Sequence, residues 1–180
     1  MNNNNYCFLS NNVKGIKASA KRLKIFKYLN SKANKNGIIF LQETHSSIDD
    51  EKKWQDEFNG SPFFSHGCTN SCGVAIGFCR NKNIEPTTIK VDKNGHIIIL
   101  ETSLLEEKFV LINFYNSNEE SSQLETFSNL LSLIEEIDDF STKKIILGGD
   151  FNLIFDRNLE AYGGNPSLKK KKSYKTKRNY

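Results

Sequence analysis

The sequence predicts a mixed α/β sandwich, and three observations lead to that fold class. Two segments repeat apolar residues at intervals of three and four, the period of an amphipathic helix. Short apolar runs of strand length lie before, between and after them, one so continuous that it suits a strand buried on both faces. The helices are separated by pairs of strands, which points to a mixed sandwich and away from a purely parallel doubly wound sheet.

In order along the chain, residues 1–5 form an Asn-rich start of low complexity, expected to be disordered. Residues 6–9 are a short apolar run suited to a first strand, and Ser10-Asn11-Asn12-Val13-Lys14-Gly15 reads as its end and a turn. Over 18–33, Ala20, Leu23, Phe26, Leu29 and Ala33 recur at helical spacing, with lysines and an arginine assigned to the opposite face. Residues 37–43 are the continuous apolar run, entered through Gly37. Residues 49–58 suit a short helix stopped by Asn59-Gly60. Strands are expected at 73–78, at 97–100 after a Lys93-Asn94-Gly95 turn, and at 109–115. Leu124, Phe127, Leu130, Leu131, Ile134 and Ile137 mark a second helix, for which Ser122 and Glu125 offer a capping box. A last strand at 144–147 runs into Gly148-Gly149-Asp150-Phe151-Asn152, after which the pattern weakens to a loop around Gly163-Gly164-Asn165-Pro166.

A chain of 180 residues with 37% hydrophobic residues is long enough for one domain with its own core. Its boundaries are read as 6–166, followed by a basic flexible tail over 167–180. The formal net charge of +4 is modest, but lysines crowd that tail. Lys169, Lys170, Lys171 and Lys172 either attract phosphates or form a solvated block of like charge. No apolar stretch reaches the length of a membrane span and no signal peptide is visible, so the expected location is intracellular, nuclear or cytoplasmic, without a membrane partner. Cys7, Cys68, Cys72 and Cys79 fit reduced structural thiols; Cys68 and Cys72 lack the second pair that a zinc site needs.

Polar residues recur at the ends of the apolar strands: Asn12, Glu43, Tyr115, and Asp150 with Asn152. Loops at strand ends are where a rigid sheet presents functional groups. Four of these segments, in this order, resemble motifs of the endonuclease/exonuclease/phosphatase family. They are Asn12-Val13-Lys14-Gly15, Leu41-Gln42-Glu43-Thr44-His45, Asn113-Phe114-Tyr115-Asn116-Ser117-Asn118 and Gly149-Asp150-Phe151-Asn152. The strand Gly73-Val74-Ala75-Ile76 is similar as well. The His-containing second motif and the stretch from Gly163 to Lys171 resemble the retrotransposon branch, whose endonucleases are of the apurinic/apyrimidinic type.

The resemblance implies a four-layer α/β/β/α sandwich of DNase I-like type, with the site where loops of two sheets meet. It also implies phosphodiester hydrolysis with Mg²⁺ or Mn²⁺, on DNA, by a domain linked to a reverse transcriptase. Hard cations prefer oxygen ligands, so Glu43 leads the metal candidates, with Asn12, Asp150 and Asn152 beside it. Asp150 is suited to deprotonate the attacking water. Asn12 and Asn152 supply hydrogen bonds without added negative charge, to a phosphoryl oxygen or to the catalytic carboxylate. Tyr115 donates its phenolic proton to the same anion. Lys14 stands where relatives often have an acidic or amide residue; it either meets substrate phosphate or points to solvent. Asn116-Ser117 replace Ala-Pro, a change expected to loosen that loop. His45 is expected to support the Glu43 loop, and His66 and His96 to be ordinary surface or turn residues.

The resemblance also implies a continuation beyond Gly-Asp-Phe-Asn, ending in a Ser-Asp-His motif. All three histidines here precede Asp150, and no Asp follows Asp156. The domain is therefore expected to be incomplete at its C-terminal end and weak as a nuclease. A phosphatase or phospholipid diesterase of the same fold, or a noncatalytic remnant, are the alternative readings. The tail makes one separate expectation: deleting 169–180 should lower DNA affinity at low salt and change little at high salt, because exposed like charges act through screened attraction. Filter binding across a salt series measures this, and a large loss of thermal stability on deletion would show the segment to be packed.

Overall fold

The computed structural model describes residues 6–33, 36–68, 71–81, 84–104 and 106–153. The Asn-rich start, the Gly163–Pro166 loop and the basic tail with Lys169 to Lys172 lie outside the described residues.

Among the described residues, eight strands and three α-helices make two four-stranded sheets and their outer covers. One sheet has the order β1-β2-β4-β3, from Cys7–Asn12, Gly37–Gln42, Val74–Cys79 and Gly60–Ser65. The other has the order β5-β6-β7-β8, from Thr88–Val91, Ile97–Leu104, Glu107–Tyr115 and Lys144–Asp150. Each sheet holds one parallel pair, β1 with β2 and β7 with β8; all other pairs are antiparallel. The parallel pairs are joined by helices, α1 (Ser19–Lys32) and α3 (Glu120–Glu135), as a parallel crossover requires.

Side-chain alternation along the strands sorts the apolar residues into three cores, and these define the layers. Ile38, Phe40, Val74, Ile76, Ile98, Leu100 and Leu111 face inward between the sheets. Ile39 and Leu41 point the other way, onto α1 through Phe26 and Leu29 and onto α2 (Ile48–Glu57) through Trp54. Ile97, Ile99, Val110 and Ile112 likewise turn outward, under Leu130 and Ile137 at the α3 side. This is the four-layer α/β/β/α sandwich. It explains why β2, β4 and most of β6 and β7 read as continuous apolar runs: both of their faces are buried.

Several sequence expectations need correction. β3 and β5 were not anticipated; both are edge strands, β3 carries Pro62, and β5 is a half-exposed run of four residues. The buried face of α1 is rotated: Ala20 and Leu23 are exposed, whereas Arg22 is turned inward with 1% of its surface accessible. Arg22 is held there by two hydrogen bonds to Glu57, at 2.5 and 2.9 Å, by the carbonyls of Ile16 and Lys17, and by the Trp54 ring beneath its guanidinium. In α3, Leu124 and Leu131 are exposed. That helix begins at Glu120 with Glu119 as its uncapped N-cap residue, so Ser122 and Glu125 form no capping box. The capping box present belongs to α2, between Ser47 and Asp50. Among the described residues no helix is long and apolar enough to cross a membrane.

The Arg22–Glu57 pair gives a stability prediction. The Arg22 hydrogen bond, against the opposing effect of burial, holds the Glu57 carboxyl below the usual glutamate range. A carboxylate with a depressed folded pKa stabilises above its unfolded pKa, and that contribution is lost as pH falls through the folded pKa. Glu57→Gln leaves Arg22 buried without its counter-charge and should cost about 3 kcal/mol. Urea unfolding should show this gap in full at neutral pH and show it closing on acidification through and below the glutamate range. A gap that does not depend on pH would contradict the ion-pair account.

Candidate active site

The C-terminal ends of both parallel pairs lie at one end of the sandwich, because the β1/β2 side of one sheet packs over the β7/β8 side of the other. Asn12 ends β1, Glu43 follows β2, Tyr115 ends β7 and Asp150 ends β8. The Asn12 amide joins the two carboxylates: Nδ2 stands 2.6 Å from Glu43 Oε1 and 2.9 Å from Asp150 Oδ2. Its Oδ1 accepts the Lys14 N–H at 3.1 Å, which fixes the amide with its nitrogen toward the carboxylates. Groups separated by 31 and 138 residues thus meet at one nitrogen.

Tyr115 completes the group. Its hydroxyl is near enough to Glu43 to feel the carboxylate's charge, and Asn118 Nδ2 lies 3.4 Å from the hydroxyl oxygen. Burial first, then the negative charge of Glu43, pushes the phenol well above its ordinary pKa. Tyr115 is therefore a hydrogen-bond donor throughout the neutral range. Asn152 sits one step outside. Its backbone N–H reaches Asp150 Oδ1 at 3.3 Å, and its Nδ2 donates to the Asn116 carbonyl at 2.8 Å, so it braces the loop. Lys14 is exposed next to Asn12.

Backbone geometry concentrates strain here. Lys14, Glu43, His45 and Asn152 all have φ between 47° and 56°, a region that costs non-glycine residues roughly 1–2 kcal/mol each. Gly15, at φ 73°, favours glycine for a second reason: a Cβ there would lie 2.6 Å from His45 Nδ1 and displace that ring. At Gly149 a Cβ would lie 2.0 Å from the Phe114 carbonyl oxygen, so the residue before Asp150 has to be glycine for β8 to pair with β7.

Beneath the group, two polar side chains join the sheets. Gln42 and Asn113 are buried in the apolar runs of β2 and β7. Gln42 Nε2 donates to Asn113 Oδ1 at 2.7 Å, and Asn113 Nδ2 donates to the carbonyls of Leu41 and Ala75, each at 2.8 Å. Sequence reasoning assigned neither a role, although an amide interrupting an apolar run was a readable signal. Asn116 also departs from expectation. Its loop is tied down, with its N–H on the Asp150 carbonyl at 2.9 Å and its side chain fully buried. His45 stands by Glu43, Nε2 3.8 Å from Oε2, as expected. His66 and His96 are packed and bonded, unlike ordinary surface residues. His66 stacks on Phe64 and hydrogen-bonds Ser46. His96 stacks on Tyr115, and its hydrogen bond to Cys72 raises its pKa.

The donor set fits a hard divalent cation. Two carboxylates converge with a neutral amide between them, and among the described residues neither pairs with a lysine or arginine. Two carboxylates with water completing the shell is the arrangement Mg²⁺ favours, and it does not need a cluster of three acidic or imidazole ligands. Among the described residues there is no such cluster.

The model of the Endonuclease/Exonuclease/phosphatase family matches residues 10–165. Over 119 residues the chain is 31% identical to the Transposon TX1 uncharacterized 149 kDa protein of Xenopus laevis; the match covers 66% of this chain and 9% of that protein. Among solved structures, D. rerio TDP2 complexed with single strand DNA product superposes with a TM-score of 0.57 at 20% identity, covering 90% of this chain and 65% of that one. An AP endonuclease from Archaeoglobus fulgidus gives a TM-score of 0.58 at 18% identity, covering 82% and 57%. These two likenesses show the shared fold.

The inter-sheet latch can be tested on its own. Asn113→Ala removes three buried hydrogen bonds and leaves the Gln42 amide only its longer bond to Ser10 Oγ at 3.2 Å, which should cost about 3 kcal/mol, since each such bond contributes roughly 0.5–1.5 kcal/mol. Denaturant unfolding measures this, and a loss below about 0.5 kcal/mol would deny the latch its structural weight.

Proposed function

Because this chain belongs to the endonuclease/exonuclease/phosphatase family, we propose that it hydrolyses DNA phosphodiester bonds, with Mg²⁺ or Mn²⁺, as the endonuclease domain of a non-LTR retrotransposon. The carrying observation is the meeting of Glu43 and Asp150 on the Asn12 amide with Tyr115 alongside. The Xenopus laevis transposon relative supports the mobile-element origin, and a neighbour solved with a single-strand DNA product supports the substrate. On this reading the domain works inside the cell, in the nucleus or cytoplasm, and its partner is a linked reverse transcriptase.

Glu43 would hold the cation with Asp150 beside it; Asn12, expected as a further ligand, instead turns its Nδ2 to both carboxylates and holds them in place, and Asn152 braces the loop outside them. When bound, the cation neutralises charge that builds on the phosphoryl and leaving oxygens. Asp150 Oδ2 orients and deprotonates the attacking water, and Asn12 keeps that carboxylate in place without adding charge. Tyr115, held protonated by burial and by Glu43, donates to a phosphoryl oxygen. Lys14, exposed beside Asn12, meets a flanking phosphate, and Lys169, Lys170, Lys171 and Lys172 add nonspecific attraction.

The 180 residues contain no histidine after His96 to complement this group from beyond Asp150. The polypeptide should therefore nick slowly, since one missing donor to the transition state is commonly worth ~10²–10³ in rate. Incubation of supercoiled plasmid with the purified chain and Mg²⁺ should give slow nicking that disappears in Asp150→Ala. Calorimetry should show weaker Mn²⁺ binding by Glu43→Gln with the fold intact. Nicking that survives in Asp150→Ala, or Mn²⁺ affinity equal in the two proteins, would overturn these assignments.

A further inference from the structure

We infer that His96 is a positioning residue for Tyr115, a clamp that fixes where the phenol meets the Glu43 end of the site; this rests on the nuclease reading above. Three separate contacts join the two residues. The His96 carbonyl accepts the Tyr115 N–H at 2.8 Å. His96 Nδ1 lies 2.7 Å from the Tyr115 carbonyl oxygen. The two rings stack with centroids 5.6 Å apart and planes 6° from parallel. A carbonyl oxygen only accepts, so Nδ1 must carry a hydrogen, and this fixes the tautomer and the ring orientation together.

His96 is itself held from three sides. Nε2 meets the Cys72 thiol at 3.5 Å. Asp92 Oδ1 accepts the N–H groups of His96 and Ile97, each at 2.7 Å, so the turn entering β6 is pinned by one carboxylate. Gly95, at φ 72°, packs its backbone against Gly67, where a Cβ would lie 2.4 Å from the Gly67 nitrogen. The imidazole is thus a fixed plate under a tyrosine that ends β7 beside Asp150 of β8, within the electrostatic reach of Glu43. A phenylalanine could supply the stacked face but neither nitrogen bond. A histidine that merely filled space would need no register with the Tyr115 main chain. Displacing a reacting group by about 1 Å can cost ~10²-fold in rate, so the support under Tyr115 bears directly on the chemistry.

The test is a double-mutant cycle on the full chain, with a readout that does not depend on activity. In single-turnover nicking, His96→Ala should lower the maximal rate at least about tenfold while half-saturating DNA stays within about twofold, and it should have no further effect in a Tyr115→Phe background. His96→Phe, which keeps the stacked face, should recover part of the loss and guards against misfolding of the alanine variant. Equal losses in both backgrounds, or an unchanged rate, would overturn the clamp. In ¹³C-tyrosine-labelled protein, the Tyr115 ring signal, assigned by Tyr115→Phe, should lose its ring-current displacement in His96→Ala and keep it in His96→Phe. An unmoved signal in His96→Ala would overturn the clamp even if nicking were absent. A moved signal without nicking would place the failure in the nuclease reading alone.

Discussion

The hydrogen bonds of Asn113, from Gln42 and to two carbonyls of the opposite sheet, are the constraint on which the rest of this molecule depends. Two sheets packed through Ile38, Phe40, Ile98 and Leu111 could slide on one another at little cost, because dispersion and burial are not directional. Asn113 removes that freedom by donating to two carbonyls of the opposite sheet while accepting from Gln42. Unpaired, these groups would each lose hydration without compensation, so one register between the sheets is strongly preferred. Gln42 directly precedes Glu43, and Asn113 lies two residues before Tyr115. The latch that sets the register therefore also sets the distance between the two halves of the site.

The site follows from topology. In a parallel pair both strands deliver their C-terminal ends to the same edge, and each sheet contains one such pair. Packing one pair over the other brings four strand ends together, and the loops that leave them carry Asn12, Glu43, Tyr115 and Asp150. Those loops are short and turn sharply, which is why residues as unlike glycine as Lys14, Glu43, His45 and Asn152 adopt left-handed backbone. The surrounding sandwich has to over-determine such conformations for them to persist.

Charge placement has its own logic. Two carboxylates facing one small space repel each other, and a buried lysine between them would neutralise the attraction for a cation. A neutral amide avoids both problems, and the Lys14 N–H turns that amide to face the acids. Tyr115 is kept protonated by burial and by the negative charge of Glu43, so its role is to donate. The Arg22–Glu57 pair, in the outer layer between α1 and α2, is a separate electrostatic device that anchors those helices to each other.

Much of this was legible in the sequence. Continuous apolar runs identified β2, β4, β6 and β7, because strands buried on both faces have no alternation to hide them. Helical spacing found α1 and α3, and polar residues closing apolar runs picked out Asn12, Glu43, Tyr115 and Asp150. Periodicity could not orient the helices. Arg22 turned inward because Glu57 and Trp54, distant in sequence, offered it partners, and Leu124 and Leu131 were left outside. The edge strands β3 and β5 stayed hidden because an edge strand needs neither apolar faces nor freedom from proline. His96 carried no motif, and its place under Tyr115 exists only through the pairing of β6 with β7 and the Asp92 turn. The sequence by itself determined which groups stand at strand ends, since alternation and composition are local properties. Only the tertiary structure decided which of them meet, because that depends on the register between two sheets, fixed by contacts far apart in the chain.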